Sequence, residues 1–424
     1  MIRLAVVVIS LIALASCKHE NSGFCANNPG EQGCPDAADH GDTCQSNANC
    51  TTMAFPVCDT ANKTCVQCLE GMTMACGGTT PVCKNSKCTA CTQHADCTRS
   101  NACLSDGSCV ADDMQVAYVD SITGTDNMTC FKSAPCTRIT KALATKRPYV
   151  KLKGDFDEAV TINDQNVTLL ADPGATLARN QTGPILQITA TGTNTAMVEI
   201  DDLQITGTSG RDNTGISVPV NGNVTLSLKR AKISGNQVVG INFSGGSLTI
   251  SKSEIYSNQG GGVSIGASMT FDITNSFIYR NGSSNAMVGG VALPLLAGST
   301  SRFEFNTVVD NQIQNSTTLS GGVTCDKAGF TAPNNIIARN LVNNDPNKMT
   351  SNTLGLCAYP TSTVSPTVTA LKFSSPDTAL YNYHITAGSS AINQATTPST
   401  ITVDFDNDPR PKSASDQGAD QYKP

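Results

Sequence analysis

The chain has 424 residues, with 28 basic and 34 acidic side chains and a formal net charge of −6 at pH 7. Without Arg3, which lies in a targeting segment described below, 27 basic residues face 34 acidic ones, a charge of −7. This acidic balance argues against nucleic acid as a partner. Aromatic residues are 5% of the chain and tryptophan is absent, which lowers the expectation of a processive carbohydrate enzyme without excluding one.

The first 16 residues hold Arg3 and then an apolar run from Leu4 to Ala15, which is too short to span a bilayer and is typical of a secretory signal. Leu14-Ala15-Ser16-Cys17 resembles the bacterial lipobox. The resemblance implies that Cys17 becomes a lipid-bearing N-terminus that binds a membrane; an ordinary signal with an unrelated cysteine is the alternative. Lys18 implies, by the same analogy, an outer-membrane lipoprotein at the cell surface or in the periplasm.

Nineteen cysteines leave eighteen once Cys17 is set aside, an even number that predicts disulfides in an exported chain. Residues 17–43 are predicted to form a flexible tether, in which Cys25 and Cys34 pair. Residues 44–113 are predicted to form disulfide-rich repeats. These repeats are interpreted as a spacer, and ligand binding is the alternative role. Their twelve cysteines fall into three sets of four: Cys44, Cys50, Cys58, Cys65; Cys68, Cys76, Cys83, Cys88; and Cys91, Cys97, Cys103, Cys109.

A zinc site is the alternative for part of this region. Cys65-Val-Gln-Cys68 and Cys88-Thr-Ala-Cys91 match the spacing of a four-cysteine zinc ribbon. The repeat explains the same pairs more simply, because each one joins the last cysteine of one set to the first of the next. Disulfides are therefore favoured over zinc.

Within residues 114–148, Ala117-Tyr-Val-Asp-Ser-Ile-Thr-Gly-Thr-Asp resembles the opening strand and loop of β-helix domains, and a helix is predicted to follow. Ser133 can cap the helix and Pro135 suits its first turn. Cys136, Ile139 and Leu143 share a face before Pro148 ends the helix. A helix here would shield the unpaired edge of the strand stack that follows. Cys130 and Cys136 would pin this cap with a disulfide.

Residues 149–345 contain a short unit that repeats. Three residues before each of five asparagines stands an apolar residue, and further apolar residues eight and ten positions before most of them indicate strands with one inward face. The asparagines are 22, 23, 30 and 29 residues apart, a period at which neighbouring units must stack to bury their apolar faces. They are Asn236, Asn258, Asn281, Asn311 and Asn340, preceded by Ile233, Ile255, Ile278, Val308 and Ile337.

The units hold too much Gly, Ser, Thr and Asn for a helical limb, so parallel β-coils are favoured over leucine-rich repeats. Equivalent asparagines are predicted to bond in a ladder inside a turn, where Asn tolerates the left-handed backbone. The pattern resembles the right-handed parallel β-helix family, the fold of pectate lyases and many bacterial surface proteins, over about Ala117 to Tyr422. The predicted fold is therefore all-β: a single-stranded right-handed parallel β-helix (solenoid) preceded by a small disulfide-rich repeat region.

Residues 346–424 are predicted to form terminal coils and a C-terminal cap. A disulfide between Cys325 and Cys357 could tie a late coil to this segment. Asp404-Phe-Asp-Asn-Asp-Pro-Arg-Pro and Asp416-Gln-Gly-Ala-Asp-Gln-Tyr422 resemble the terminal segment of exported bacterial β-helix proteins. We expect the segment to close the last coil.

Calcium is the one cofactor for which the sequence offers candidates. Asp404, Asp406 and Asp408 alternate like the oxygen ligands of a calcium loop. Pro409 and Ser415, however, stand where such a loop needs glycine and a bidentate Glu. Ion pairing of these carboxylates with Arg410 is the alternative.

The resemblance to pectate lyases implies where chemistry would lie if the protein is an enzyme. Such enzymes neutralise a uronate carboxylate with Ca²⁺ or basic residues while a base removes the adjacent proton. Candidate catalytic residues on one outward face are Asp272, Arg302 and Glu304. A second row, Arg280, Asp310 and Arg339, alternates in sign and is better explained as surface ion pairs.

The sequence thus favours a non-catalytic, lipid-anchored envelope protein whose β-helix rod contacts a polysaccharide or surface glycan. The alternative is a polysaccharide lyase or glycoside hydrolase that acts on an acidic polysaccharide along an outward face. The first hypothesis depends on a display architecture without a recognisable catalytic set. The second requires charges from at least three coils to converge in one cleft.

Overall fold

The computed structural model describes residues 43–72, 76–220, 223–267, 269–293 and 300–424. The predicted signal segment, most of the tether and Cys17, Cys25 and Cys34 lie outside the described residues. The chain divides into two compact units: one of residues 1–92 and 106–108, the other of residues 93–105 and 109–424. The third set of four cysteines is therefore split between the two units.

The described part of the first unit is built on disulfides. Two short antiparallel hairpins pair Val57–Asp59 with Thr64–Val66 and Val82–Lys84 with Lys87–Thr89, and a 3₁₀ turn covers Asn47–Asn49. In each of the first two sets, the first cysteine bonds to the third and the second to the fourth: Cys44–Cys58, Cys50–Cys65, Cys68–Cys83 and Cys76–Cys88. The thiols that the zinc interpretation would use are thus consumed, and that interpretation is wrong.

The second unit begins with irregular chain, a strand and one α-helix. The 3₁₀ turns His94–Asp96 and Asp113–Gln115 precede the strand Val116–Asp120, and the helix covers Ile139–Ala144. The helix begins later than the sequence predicts: Pro135 precedes it, and the carboxylate of Glu158, not Ser133, accepts the N–H groups of Ile139 and Thr140. Its buried Ile139 and Leu143 join the core of the rod, and a disulfide joins Cys130 to Cys136 nearby.

Three parallel sheets form the rod, and each coil contributes one strand to each sheet in turn. In stacking order, sheet A contains Val116–Asp120, Tyr149–Lys153, Val167–Ala171, Thr195–Asp201, Asn223–Lys229, Gly246–Ser251, Thr270–Thr274 and Arg302–Glu304. Sheet B contains Asp155–Asp157, Thr176–Ala178, Gln204–Thr206, Lys232–Ser234, Glu254–Tyr256, Phe277–Tyr279, Thr307–Val309, Ile336–Ala338 and Thr363–Ser365. Sheet C contains Val160–Asn163, Gly183–Thr189, Asn213–Val218, Ile241–Phe243, Val263–Ile265, Val291–Leu293, Val323–Cys325 and Thr353–Gly355.

The core runs along the axis of the rod, where the inward side chains of all three sheets meet. In sheet B, Ile233, Ile255, Ile278, Val308 and Ile337 are directly in register and fully buried. This column is the one that the repeat predicts. The stacked parallel sheets confirm the predicted β-helix solenoid.

The five repeated asparagines lie buried in the turn after sheet B. Each side-chain Nδ2 donates to Oδ1 of the asparagine in the next coil, at 2.7–2.9 Å, and Asn352 extends the row at 3.1 Å. The left-handed residue of the turn is not the asparagine, as the sequence interpretation supposed, but the residue before it: Gly235, Ser257, Arg280, Asp310 and Arg339.

A second ladder, which the sequence reading missed, lies in the turn between sheets A and B. It consists of buried or partly buried Ser and Asn side chains directly before successive sheet B strands, whose oxygens accept backbone N–H groups from the coil below at 2.8–3.2 Å. Its members are Ser253, Ser276, Asn306, Asn335 and Ser362. The two ladders satisfy buried backbone groups on both sides of sheet B.

The terminal segment, residues 366–424, covers the outer face of sheet B rather than only closing the last coil. It contains the 3₁₀ turn Thr369–Leu371 and a hairpin of Phe373–Ser375 with Asn382–Ile385. Its Leu371, Phe373, Tyr383, Ile385, Ala391 and Ala419 form an apolar cluster with Phe277, Tyr279, Val309, Ile336 and Ala338 of sheet B. At Gly418, which has a φ of +86°, an added Cβ would lie 2.7 Å from Ile336, so the close packing requires glycine.

Two further features complete the rod. Gln312–Ile313 and Leu341–Val342 form a small parallel pair, and a disulfide joins Cys325 at the end of a sheet C strand to Cys357. Within the part of the chain that the structure describes, no helix has the length and apolar character needed to cross a membrane.

Candidate functional site on the outer face of sheet A

One row of outward side chains runs along sheet A, and we call it row A. Its seven members are in register from strand to strand and all are partly exposed: Tyr149, Thr168, Glu199, Ser227, Thr249, Asp272 and Arg302. Because successive parallel strands lie about 4.8 Å apart, its six steps span roughly 29 Å. Row A is thus a long polar strip on a rigid framework.

An open cleft of about 350 Å³ lies on the half of row A nearest the N-terminal end of the rod. Tyr149, Thr168, Glu199 and Ser227 line it, and Met197 and Thr225 from the neighbouring outward positions complete its floor. The volume is that of a small-ligand site. One aromatic ring, several hydroxyls and a carboxylate therefore converge in a cleft that is open to solvent.

The carboxylate of the cleft is held in place by a cation and a hydroxyl. Glu199 Oε1 accepts a hydrogen bond from Lys229 Nζ at 2.7 Å and another from Ser105 Oγ at 2.9 Å. Ser105 also accepts from Lys229. These bonds fix the position of the carboxylate and balance its charge at the edge of the cleft.

A second, buried carboxylate lies two residues further along the same strand. Asp201 is 1% exposed, and neither of its oxygens has a hydrogen-bond partner within the described residues. Burial first, and the charge of Glu199 second, raise the pKa of Asp201 to about 7. The guanidinium of Arg230, 3.8 Å from Asp201 Oδ2, opposes this shift but lies beyond hydrogen-bond distance. Burial therefore favours the neutral form of the Asp201 carboxyl.

Residues 93–105 pack beside this face of sheet A. His94 Nδ1 accepts the N–H of Cys103 at 3.0 Å, and its Nε2 lies 3.1 Å from the carbonyl oxygen of Ala171, to which it therefore donates. Burial lowers the pKa of His94, and the two bonds fit the neutral ring. Nearby, buried Lys151 forms an ion pair with Asp172, and burial lowers the pKa of this lysine.

The predicted catalytic candidates occupy the far end of sheet A. Arg302 binds Asp272 through two hydrogen bonds, of 2.9 and 2.7 Å, and a third reaches Thr400 of the terminal segment at 3.1 Å. The Asp272 carboxylate raises the pKa of Arg302. Glu304 is 6% exposed and accepts a hydrogen bond from Asn334 at 3.0 Å. The pair thus belongs to row A, whereas Glu304 does not line the open face.

The three calcium candidates have separate partners. Asp404 is fully buried and accepts the N–H groups of Asp406, Asp408 and Gln421 at 2.7–2.9 Å, so it shapes the turn. Asp406 pairs with His384 at 3.0 Å, and Asp408 pairs with Lys423 at 3.1 Å.

Arg410, the alternative partner of these carboxylates, serves a different purpose. Its guanidinium donates to the carbonyl oxygens of Asp416, Gly418 and Ala419 and stacks 4.1 Å above the Phe305 ring. Arg410 therefore braces the backbone of the terminal segment against the rod.

The second charged row connects the rod to the terminal segment. Arg339 binds Asp310 in its own row at 2.5 Å and Asp377 at 2.8 Å. Tyr383 donates to Asp310 at 2.6 Å, and Arg280 lies 3.8 Å above the Tyr381 ring. The predicted ion pairs are present for two of the three members, and Arg280 instead makes a cation–π contact.

The alternating pattern of the sequence places four members of row A on the solvated side of their strands, namely Ser227, Thr249, Asp272 and Arg302, but it does not reveal the cleft. Tyr149, Thr168 and Glu199 belong to early coils whose lengths differ from the later repeat. The sequence signal for these residues is their alternation with apolar residues such as Val150, Leu169 and Ile200, which are buried. This alternation identifies which side chains point outward, but it does not show which residues of neighbouring coils lie side by side.

Comparisons with known proteins concern the fold. The model of the family described as right handed beta helix region matches residues 188–393. No curated protein matches the chain. Among solved structures, the crystal structure of pectate lyase Pel9A is similar with a TM-score of 0.42 and 15% identity, over 73% of this chain and 96% of that chain.

Proposed function

We propose that the protein is a lipid-anchored component of the bacterial cell envelope whose rod contacts a polysaccharide along row A. The observation that carries the proposal is the cleft around Tyr149, which opens onto an extended strip of hydroxyl-bearing side chains in register. A polymer of repeating sugars presents hydroxyls at regular intervals. A strip with one row of donors and acceptors per coil can bind such a polymer at several points.

The charges of row A favour recognition by hydrogen bonds over capture of a polyanion. Glu199 is neutralised by Lys229, and Asp272 by Arg302. Both carboxylates keep acceptor capacity for sugar hydroxyls, and Tyr149 provides an apolar ring beside them. The partner that fits best is a neutral or mixed-charge surface glycan.

The anchor part of the proposal depends on the sequence around Cys17. A short apolar segment that ends in Leu-Ala-Ser-Cys supports export and lipidation. The disulfides of the first two cysteine sets support an oxidising compartment. Mass spectrometry of the purified N-terminal peptide tests this part directly: we expect a diacylglyceryl mass on Cys17 and none after Cys17→Ser.

Binding is tested with a glycan array probed with the full chain and two variants. Tyr149→Ala and Ser227→Arg alter the cleft at partly exposed positions, so we expect the fold to persist and the signal to fall at least about tenfold. Asn242→Ala, at an exposed outward position of sheet C, is the matched control. Equal binding by the wild type, the two row A variants and the control would show that the glycan does not bind at row A.

The enzymatic alternative calls for a separate assay. Incubation of the protein with pectate, alginate and glycosaminoglycans, followed at 235 nm, detects the unsaturated products of a lyase. We expect no product, because Asp272 and Arg302 bind each other and Glu304 is buried. If the wild type forms product and Arg302→Ala does not, the protein is an enzyme and the proposal of a non-catalytic contact function is wrong.

A further inference from the structure

Three potential metal ligands meet outside row A, in the segment that covers sheet B. One ligand atom from each of His384, Asp406 and Asp420 lies within 4.8 Å of the other two. His384 Nε2 is 3.0 Å from Asp406 Oδ2. Tetrahedral Zn²⁺ with bonds of about 2.1 Å separates its ligand atoms by roughly 3.4 Å, so the cluster needs only a small adjustment to close around an ion.

The buried member of the cluster is short of hydrogen bonds. Asp420 is 7% exposed, and in the described part of the chain its carboxylate receives one hydrogen bond, from Ile385 N–H to Oδ2 at 2.7 Å. A carboxylate offers about four acceptor positions, so the Asp420 carboxylate has acceptor capacity for a ligand. One of its oxygens lies within 4.8 Å of ligand atoms of His384 and Asp406.

The orientation of the histidine ring is also set for coordination. Asn382 Oδ1 lies 2.6 Å from His384 Nδ1, so Nδ1 carries a hydrogen and donates it. Phe277 and Phe405 pack around the ring, with centroids 4.9 and 5.8 Å away. A metal-binding histidine usually donates the N–H of its other ring nitrogen to a neighbouring acceptor, which orients the ring. Here Asn382 is that acceptor, and Nε2 is left for the ion.

We propose that His384, Asp406 and Asp420 bind a divalent transition-metal ion, for which Zn²⁺ is the probe. The ion replaces the proton that His384 Nε2 shares with Asp406, and this proton leaves to solvent. One imidazole nitrogen with two carboxylates is a ligand set for Zn²⁺ and its first-row neighbours, whereas Ca²⁺ takes oxygen ligands. Of the three aspartates that suggested calcium, only Asp406 takes part.

The ion would act as a clip. His384 belongs to the strand Asn382–Ile385, Asp406 to the turn that buried Asp404 shapes, and Asp420 to the last residues of the chain. Coordination joins three stretches of the terminal segment that are far apart in sequence. Binding to the folded state alone stabilises that segment on sheet B. This inference is independent of the polysaccharide proposal.

The test is isothermal titration of the chelator-treated full chain with ZnCl₂, together with metal analysis after dialysis. We expect one Zn²⁺ per chain, no measurable binding for His384→Ala or Asp406→Asn, and about tenfold weaker binding for Asn382→Ala. Asp406 is exposed, so its variant keeps the fold, which circular dichroism verifies. Asp408→Asn, whose side chain pairs with Lys423 instead, should bind like the wild type.

Three results would overturn the proposal. The first is a wild-type chain that binds no Zn²⁺, and the second is equal binding by the wild type and by Asp406→Asn. The third is displacement of Zn²⁺ by an equal concentration of Ca²⁺, which would show the wrong class of site. A Zn²⁺-dependent rise in melting temperature that Asp406→Asn abolishes would support both the site and its role as a clip.

Discussion

The outer faces of sheets A and B belong to the same coils and yet have opposite surroundings. On sheet A the outward row contains Thr168, Ser227 and Thr249 and stays open to solvent. On sheet B the outward residues Tyr279, Val309 and Ala338 are at most 5% exposed, because the terminal segment covers them. The inward columns of both sheets are alike.

The difference shows that the outward residues of a sheet, and not the coil framework, determine whether its outer face is exposed or covered. A rod needs only its inward positions to be apolar, so each outward face can carry polar groups or an apolar stripe. An apolar stripe requires a partner, and this chain supplies its own. Row A on sheet A has no such cover, and it is the surface on which we propose that a glycan binds.

The largest effect should follow a charge at an inward position that both faces share. Ile255→Asp removes a fully buried side chain and places a carboxylate in the core, and we expect a loss of about 5 kcal/mol or more in unfolding free energy. Thr249→Asp, on the open face of sheet A, should change it by about 0.5 kcal/mol or less. Urea unfolding of both variants measures the contrast, and similar midpoints would mean that the inward assignment is wrong.

Loss of a contact between the terminal segment and the outer face of sheet B should lower the stability of the protein. Tyr383 is 2% exposed, packs near Tyr279 and Phe373, and donates to Asp310. Tyr383→Ala should cost about 3 kcal/mol and release the terminal segment to limited proteolysis. Tyr383→Phe removes only the hydroxyl and should cost about 1.5 kcal/mol. Wild-type resistance of the alanine variant would show that the segment does not depend on this contact.

The asparagine ladder lies inside the rod, so its contribution to stability can be measured without changing either outer face. Asn281 donates to Asn311 and to the carbonyl of Ile255 and accepts from Asn258, so Asn281→Ala should cost about 2–3 kcal/mol. Asn236 begins the ladder, and its Oδ1 has no partner within the described residues. Asn236→Ala should therefore cost about 1 kcal/mol or less. Thermal unfolding that ranks the two variants the other way would argue against the ladder.

A pH effect should single out the buried carboxyl of Asp201, which lies two residues beyond Glu199 on the same strand of sheet A. The pKa of Asp201 is about 7 in the folded chain, above the ordinary unfolded value near 4, so the folded state holds the extra proton between these values. The stability that this proton provides is full below about pH 4 and is lost as the pH rises to about 7. Asp201→Asn should flatten that slope and raise stability at pH 8 by about 2 kcal/mol. An unchanged slope between pH 4 and 7 would contradict the burial of an ionisable group here.

The repeat predicts the interior better than the faces. Ile233 to Ile337 and the ladder asparagines recur at fixed offsets within each unit, because every coil must fill the same space and pair the same turn. The terminal segment that covers sheet B was not predicted, although Phe277, Val309 and Ile336 are apolar residues at outward positions of that sheet. Its partner Tyr383 lies far along the chain, and no local pattern connects the two. Row A was missed in part because the early coils vary in length, so Tyr149 and Glu199 cannot be aligned from spacing.

Carboxyl footprinting tests most directly whether the open face of sheet A is the contact surface. The full chain is labelled with a carbodiimide and an amine, with and without the glycan that the array identifies, and the modified residues are quantified by mass spectrometry. The proposed function predicts that Glu199 and Asp272 become protected while exposed Asp377, beside the covered face of sheet B, does not. Protection of Asp377 with unchanged labelling of Glu199 and Asp272 would contradict it.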